Sequence, residues 1–167
     1  NYTILRPCAI YGERDTEFYP LFKAIRKGWK LIVGNGKKKV NMLNVHDLNN
    51  AIISCINNKR AFKQIFNISD GNEYNWKDVN NAAEKAVGKK CRTLRIPIFI
   101  VSIVGWINTF LERIVRKPFL LNKQKLKEMK QNAWLMNIDK IKRELDYKPE
   151  YTLEQGFRNA FKWYVEN

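Results

Sequence analysis

Apolar positions fall in short blocks whose period switches between that of a strand and that of a helix. Tyr2 to Arg6 is a strand-forming run that stops at Pro7, and Gly12-Glu13-Arg14-Asp15 has turn chemistry. Phe18, Leu21, Phe22 and Ile25 then recur at helical spacing, with Pro20 tolerable in the first turn and Gly28 as a stop. Lys30 to Val33 and Val40 to Val45 are β-rich runs on either side of Gly34-Asn35-Gly36, which predicts a hairpin-like excursion. Asp47 stands where an N-cap belongs, ahead of a helix with Leu48, Ala51, Ile52 and Cys55 on one face. Ile65 to Ile68 predicts another strand, ending at Asp70-Gly71. Asn75 with Asp78 resembles the cap of a helix that ends at Gly88. Cys91 to Ile96 predicts a short strand, followed by an apolar helix to about Val115 and a break at Pro118. Asn122 and Asn137 are candidate caps for two short basic helices with Trp134 between them. Thr152 and Gln155 form a capping box, after which Leu153, Gly156, Phe157, Ala160, Phe161 and Tyr164 line one helix face. Strands alternating with helices point to α/β or α+β.

With 167 residues, 45% hydrophobic and 13% aromatic, the chain can bury one substantial core. A strand begins almost at Asn1, so preceding residues are expected. The formal charge of +15 suits a phosphate-rich partner, but basic residues are spread along the chain with Lys37-Lys38-Lys39 as the one tight run. A nucleic-acid partner is therefore not expected. Cys8, Cys55 and Cys91 lack partners at disulfide or metal-ligand spacing, which suits reduced thiols in a cytoplasmic protein and no metal site. The apolar stretch Ile96 to Ile107 is too short for a bilayer core of about 30 Å. It reads as a core or interface helix, or as a membrane-surface or substrate-entrance helix flanked by Arg92, Arg95, Arg113, Arg116 and Lys117.

The chain contains no glycine-rich nucleotide loop and no nucleophile elbow. Its one histidine, His46, reads as structural or, alternatively, as a general base. Gly34-Asn35-Gly36 is an ordinary turn or an anion-binding nest helped by Lys37 to Lys39. The loop Leu5 to Gly12 is the best site candidate, because ligands in open α/β sheets bind beyond the carboxyl ends of strands.

Leu5-Arg6-Pro7-Cys8-Ala9-Ile10-Tyr11-Gly12 resembles the Arg-Pro-x-x-Val-Tyr-Gly segment of the extended short-chain dehydrogenases/reductases. Asn44-Val45-His46-Asp47 is similar to that family's hydrophobic-Val-x-Asp segment, and Ile65 to Gly71 to its strand-Asn-hydrophobic-x-x-Gly segment. Arg143 to Pro149 and Thr152 to Gly156 resemble its Leu-Gly-aromatic-x-Pro and Leu-Glu-Glu-Gly ending.

The resemblance implies an α/β chain that is the C-terminal part of a Rossmann-type doubly wound sheet plus a mixed, mostly helical substrate-binding subdomain. Residues 1–12, 40–58 and 65–71 would complete the sheet, and 13–39 and 72–167 would bind substrate. It further implies NAD or NADP as cofactor and a Tyr-x-x-x-Lys pair upstream of residue 1, so no catalytic residue is assigned within the chain and the fragment alone is expected to be inactive. In the family, the tyrosine hydroxyl transfers a proton while hydride moves to or from nicotinamide.

By the same resemblance Pro7, Cys8, Ala9 and Ile10 would lie against the nicotinamide, and Tyr11, Arg14 and Asp15 would border the substrate. Arg14 and Asp15 read equally well as a loop-stabilising ion pair. Nucleotide-sugar members often carry Asn at Ala9, Arg at Val40, and Arg-x-Gly-Asp where Lys130-Gln131-Asn132-Ala133 stands; such arginines clamp a diphosphate. The implied activity is interconversion of a secondary alcohol and a ketone on an apolar small molecule, as in the hydroxysteroid-dehydrogenase branch. A nucleotide-sugar epimerase or dehydratase and a non-catalytic nucleotide-binding relative are the alternatives. Peripheral membrane contact through 96–116 and a homodimer are the remaining partner expectations.

Overall fold

The structure, a computed structural model, describes residues 1–115 and 133–167. The flanking charges Arg116 and Lys117, the break at Pro118, the cap at Asn122 and the Lys130 to Asn132 stretch lie outside the described residues.

Parallel pairing dominates the strands. β1 (Thr3–Pro7) pairs in parallel with β6 (Gln64–Ile68), β2 (Ala9–Tyr11) with β5 (Met42–Asn44), and β3 (Trp29–Val33) with β8 (Arg92–Ile96). β4 (Lys39–Val40) lies between antiparallel β7 (Tyr74–Asn75) and parallel β9 (Ala133–Trp134). Among the described residues six α-helices join them: α1 (Tyr19–Arg26), α2 (Val45–Cys55), α3 (Trp76–Val87), α4 (Ile98–Val115), α5 (Asp139–Leu145) and α6 (Leu153–Glu166). Parallel pairs need crossovers, and helices supply them, which is the α/β organisation expected.

The predicted hairpin over 30–45 does not form. β3 finds its partner in β8, and Gly34 N–H extends that ladder by donating to Ile96 O at 2.9 Å. Asn41 divides the second run into β4 and β5, which join different sheets. The glycines at positive φ turn the chain as foreseen, but more distant strands compete better for the backbone groups.

The predicted cap at Asp47 also moves. Asn44 caps α2, its side chain accepting from His46 N–H, and Asp47 sits within the first turn. The other two boxes form as read: Asn75 with Asp78 starts α3, and Thr152 with Gln155 starts α6. α3 ends at Gly88, in the left-handed conformation that glycine adopts without strain.

Two buried clusters result. In one, Phe22 and Ile25 of α1, Val79 and Ala83 of α3, and Phe157 and Ala160 of α6 surround Tyr11 and Met42. Each fully buried large side chain there contributes about 1.5–3 kcal/mol. The other gathers Leu43, Phe66 and Ile68 under Ile141, Leu145 and Tyr147.

Candidate functional site

The carboxyl ends of β1 and β6 meet at a hydrogen-bonded corner, where Cys8 N–H donates to Ile68 O at 3.0 Å. Beyond it Asp70 N–H donates to Met42 O at 2.9 Å, drawing the next sheet alongside. A cleft of about 1000 Å³ opens here. Pro7, Cys8 and Ala9 form one wall, and Val40, Ala133 and Trp134 another. Leu31, Val33 and Ile98 extend the apolar lining, while Glu17, Asn35, Lys38 and Lys39 bring polarity to it.

Asn41 ties the cleft together. Its Nδ2 donates to Asn72 O at 2.6 Å, its Oδ1 accepts from Met136 N–H at 2.5 Å, and its own N–H donates to Trp134 O at 3.0 Å. One buried amide thereby joins the Asn72 turn and the Trp134 to Met136 segment to the β4–β5 link that carries it. Asp70, also buried, accepts from the Tyr74 hydroxyl at 2.6 Å and from Asn72 N–H at 3.0 Å. Burial raises its carboxyl above the usual range despite those donors.

The seven residues marked by the sequence divide at this cleft. Pro7, Cys8 and Ala9 line it. Burial, with the nearby Asp70 charge adding to it, pushes the Cys8 thiol up to about 12, so this wall carries no thiolate. Ile10 is not among the lining residues and is 38% exposed elsewhere. Tyr11 belongs to the core rather than to a substrate border: it is 1% exposed and edge-on to Phe157 at 4.9 Å. Alternation along β2 turns Ile10 away from Ala9, while Tyr11, one step further along on Ala9's side, is covered by Phe157 of α6.

Arg14 is exposed and at φ 67°, and it makes no ion pair with Asp15. Asp15 instead accepts from the backbone N–H groups of Glu17 at 2.7 Å and Phe18 at 3.3 Å, ordering the approach to α1. His46 Nε2 lies 3.1 Å from Glu13 Oε2, and its ring stacks on Tyr151.

Asn41 and Met136 were not legible as site residues, because nothing local distinguishes a buried clamp from a surface asparagine. Tyr19 and Lys23 have the Tyr-x-x-x-Lys spacing in this chain, but Tyr19 is the first residue of α1 and Lys23 stands in its last turn, and neither lines the cleft. Tyr19 packs on Tyr164 at 5.3 Å between ring centres. Among the described residues no cluster of His, Cys, Asp or Glu is arranged to hold a metal ion.

The chain is 24% identical over 165 residues to a UDP-glucose 4-epimerase of Vibrio cholerae, covering 98% of this chain and 46% of that protein. It is 26% identical over 170 residues to a 3-beta-hydroxysteroid dehydrogenase of Mycolicibacterium neoaurum, covering 97% and 46%. The chain thus spans about half the length of the curated relatives it matches. Among solved structures, a dTDP-glucose 4,6-dehydratase of Bacillus anthracis in complex with NAD superposes with a TM-score of 0.65 at 20% identity, over 99% of this chain and 45% of that one. That likeness shows the fold, which is of Rossmann type. The family profile described as GDP-mannose 4,6 dehydratase matches residues 16–160, and the chain belongs to that family, within the extended short-chain dehydrogenases/reductases.

Proposed function

We propose that this chain forms the substrate side of an NAD(P)-dependent oxidoreductase that interconverts a secondary alcohol and a ketone on a predominantly apolar small molecule. In this reading 1–12, 40–58 and 65–71 complete a Rossmann sheet whose remainder, with the catalytic Tyr/Lys pair, precedes residue 1. The rest of the chain covers the substrate. The cleft at the carboxyl ends of the parallel strands is the observation that carries it, because that is where doubly wound folds bind ligands.

Pro7, Cys8 and Ala9 suit the flat face of a nicotinamide: they are compact, uncharged and held in place by the Cys8–Ile68 hydrogen bond. When bound, that cofactor supplies or accepts the hydride. The chain's own part is to orient the substrate against it and to exclude water, through Val40, Ala133, Trp134 and Leu135. Neither Val40 nor Ala133 can clamp a diphosphate. The second reading, a nucleotide-sugar epimerase or dehydratase, draws support from Lys38 and Lys39 at the same cleft.

The test uses the intact protein with NAD or NADP, offered hydrophobic ketones and alcohols on one side and UDP-, GDP- and dTDP-sugars on the other. Cofactor-dependent turnover of the apolar compounds, with weak calorimetric binding of the sugars, is expected. Tight binding and epimerisation of a nucleotide-sugar would establish the second reading instead. Failure to bind either dinucleotide would remove both.

A further inference from the structure

The β3–β8 ladder is covered on one face only. Lys30 and Ile32 face α3, where Lys30 Nζ meets Glu84 Oε2 at 2.8 Å and Ile32 is 6% exposed. In parallel register Trp29, Leu31, Arg92 and Leu94 share the opposite face. There Trp29 is 42%, Leu31 39% and Leu94 47% exposed.

α4 follows immediately and has an inverted pattern. Val101 is buried, whereas Phe99, Ile100, Ile103, Val104, Trp106 and Ile107 are exposed. At 3.6 residues per turn these six occupy one continuous arc of about 160°. An ordinary surface helix turns such an arc inward.

The charge around this surface has one sign. Arg92 lies on the outward face itself and the exposed Lys89 and Lys90 lead into it, with no Asp or Glu in residues 85–111. An outward apolar arc preceded by basic residues matches the physics of an interfacial helix on an anionic membrane. No helix among the described residues is long and apolar enough to cross a membrane, which suits a helix lying in the interface plane. Leu31 belongs both to the outward face of the ladder and to the cleft lining, so the two surfaces adjoin.

We propose that α4 and the outward face of β3–β8 seat the protein on an anionic phospholipid bilayer, with the cleft opening toward the acyl chains. The docking stands apart from the oxidoreductase reading, because vesicle binding is measured without turnover.

The experiment is co-sedimentation of the intact protein with phosphatidylcholine vesicles with and without phosphatidylglycerol, at low and high salt. Binding to the anionic vesicles, weakened by salt, is expected. F99E with I103E should lower partitioning on the order of tenfold or more, through lost apolar burial and added like charge. R92E, which leaves the apolar arc intact, should weaken the preference for phosphatidylglycerol. Circular dichroism establishes that each variant is folded, and the arginine variant tests the proposal even if the helix pair does not fold. Wild-type protein left in the supernatant with anionic vesicles would overturn the proposal, as would folded variants that bind like wild type. A dimer that F99E/I103E splits, without vesicle binding, would also overturn it and make this face a subunit contact.

Discussion

Tyr11 shows how a single ring changes meaning between sequence and fold. Pro7, Cys8 and Ala9 of the same segment reach the cleft, yet its own ring packs among Phe18 and Phe157, and its hydroxyl makes a long 3.4 Å bond to Thr152 O. Tyr11→Phe should therefore cost less than about 1 kcal/mol of stability and leave KM for the substrate unchanged, as chemical denaturation and steady-state kinetics would show. A rise in KM with stability intact would restore it to the substrate border. Gly156 faces the same ring from α6. A Cβ there would lie 2.5 Å from Asn44 Nδ2 and 2.6 Å from Tyr11 Cε2, so only a bare backbone lets α6 approach β2 and β5 this closely. Gly156→Ala should destabilise the protein by about 1–3 kcal/mol, although alanine is the better helix former, and a raised unfolding midpoint would contradict the close approach.

Elements in this fold are joined by buried or partly buried polar ties at their ends. Asp47, 1% exposed in the first turn of α2, accepts from the N–H groups of Glu150 at 2.8 Å and Tyr151 at 3.3 Å, holding the lead-in to α6. Asp47→Ala leaves both donors without that acceptor and should cost about 2–3 kcal/mol in denaturant unfolding. α3 is tied to β3 and to the start of β8 through Glu84, which takes Lys30 Nζ at 2.8 Å and Cys91 N–H at 2.6 Å. The hydrogen bond from Lys30, with help from Cys91, holds the Glu84 carboxyl below the usual range. A carboxylate depressed in the folded state stabilises the fold above its unfolded pKa. That contribution is lost as pH falls from there through the lowered folded value. Thermal midpoints should accordingly decline on acidification across this window, and Glu84→Gln should flatten that part of the profile. An unchanged slope in the variant would detach Glu84 from the acid response.

On the scale of the whole molecule, the β1–β6 pair is covered on one side. Leu5 and Phe66 turn toward the second buried cluster, while Ile4 and Ile65, opposite each other in register, are 41% and 40% exposed. Doubly wound sheets carry helices on both faces, so this bare side is where the remainder of a Rossmann domain would pack. The 167-residue chain by itself should then bind a hydrophobic dye in its folded state, self-associate, and show no NAD(P)-dependent turnover. A monodisperse monomer without dye binding in sedimentation and fluorescence measurements would mean that this face needs no cover.

The features legible in the sequence are those completed within about a turn of helix. The Asn75–Asp78 and Thr152–Gln155 boxes, the left-handed stop at Gly88 and the buried stripe of α6 need only atoms three or four residues apart, so their signals are local. Pro7 to Ala9, which line the cleft, stand out in the sequence because a strand end beside a loop is a local pattern too. Tertiary structure decided what depends on distant segments: β3 pairing with β8 instead of forming a hairpin, Asp47 meeting Glu150, and Asn41 clamping Asn72 to Met136. It also decided how deeply each position is covered, and so put Tyr11 in the core and Ala9 at the cleft. Each of these requires closing a long loop before any contact rewards it, and no residue type announces in advance which remote partner will satisfy its polar groups.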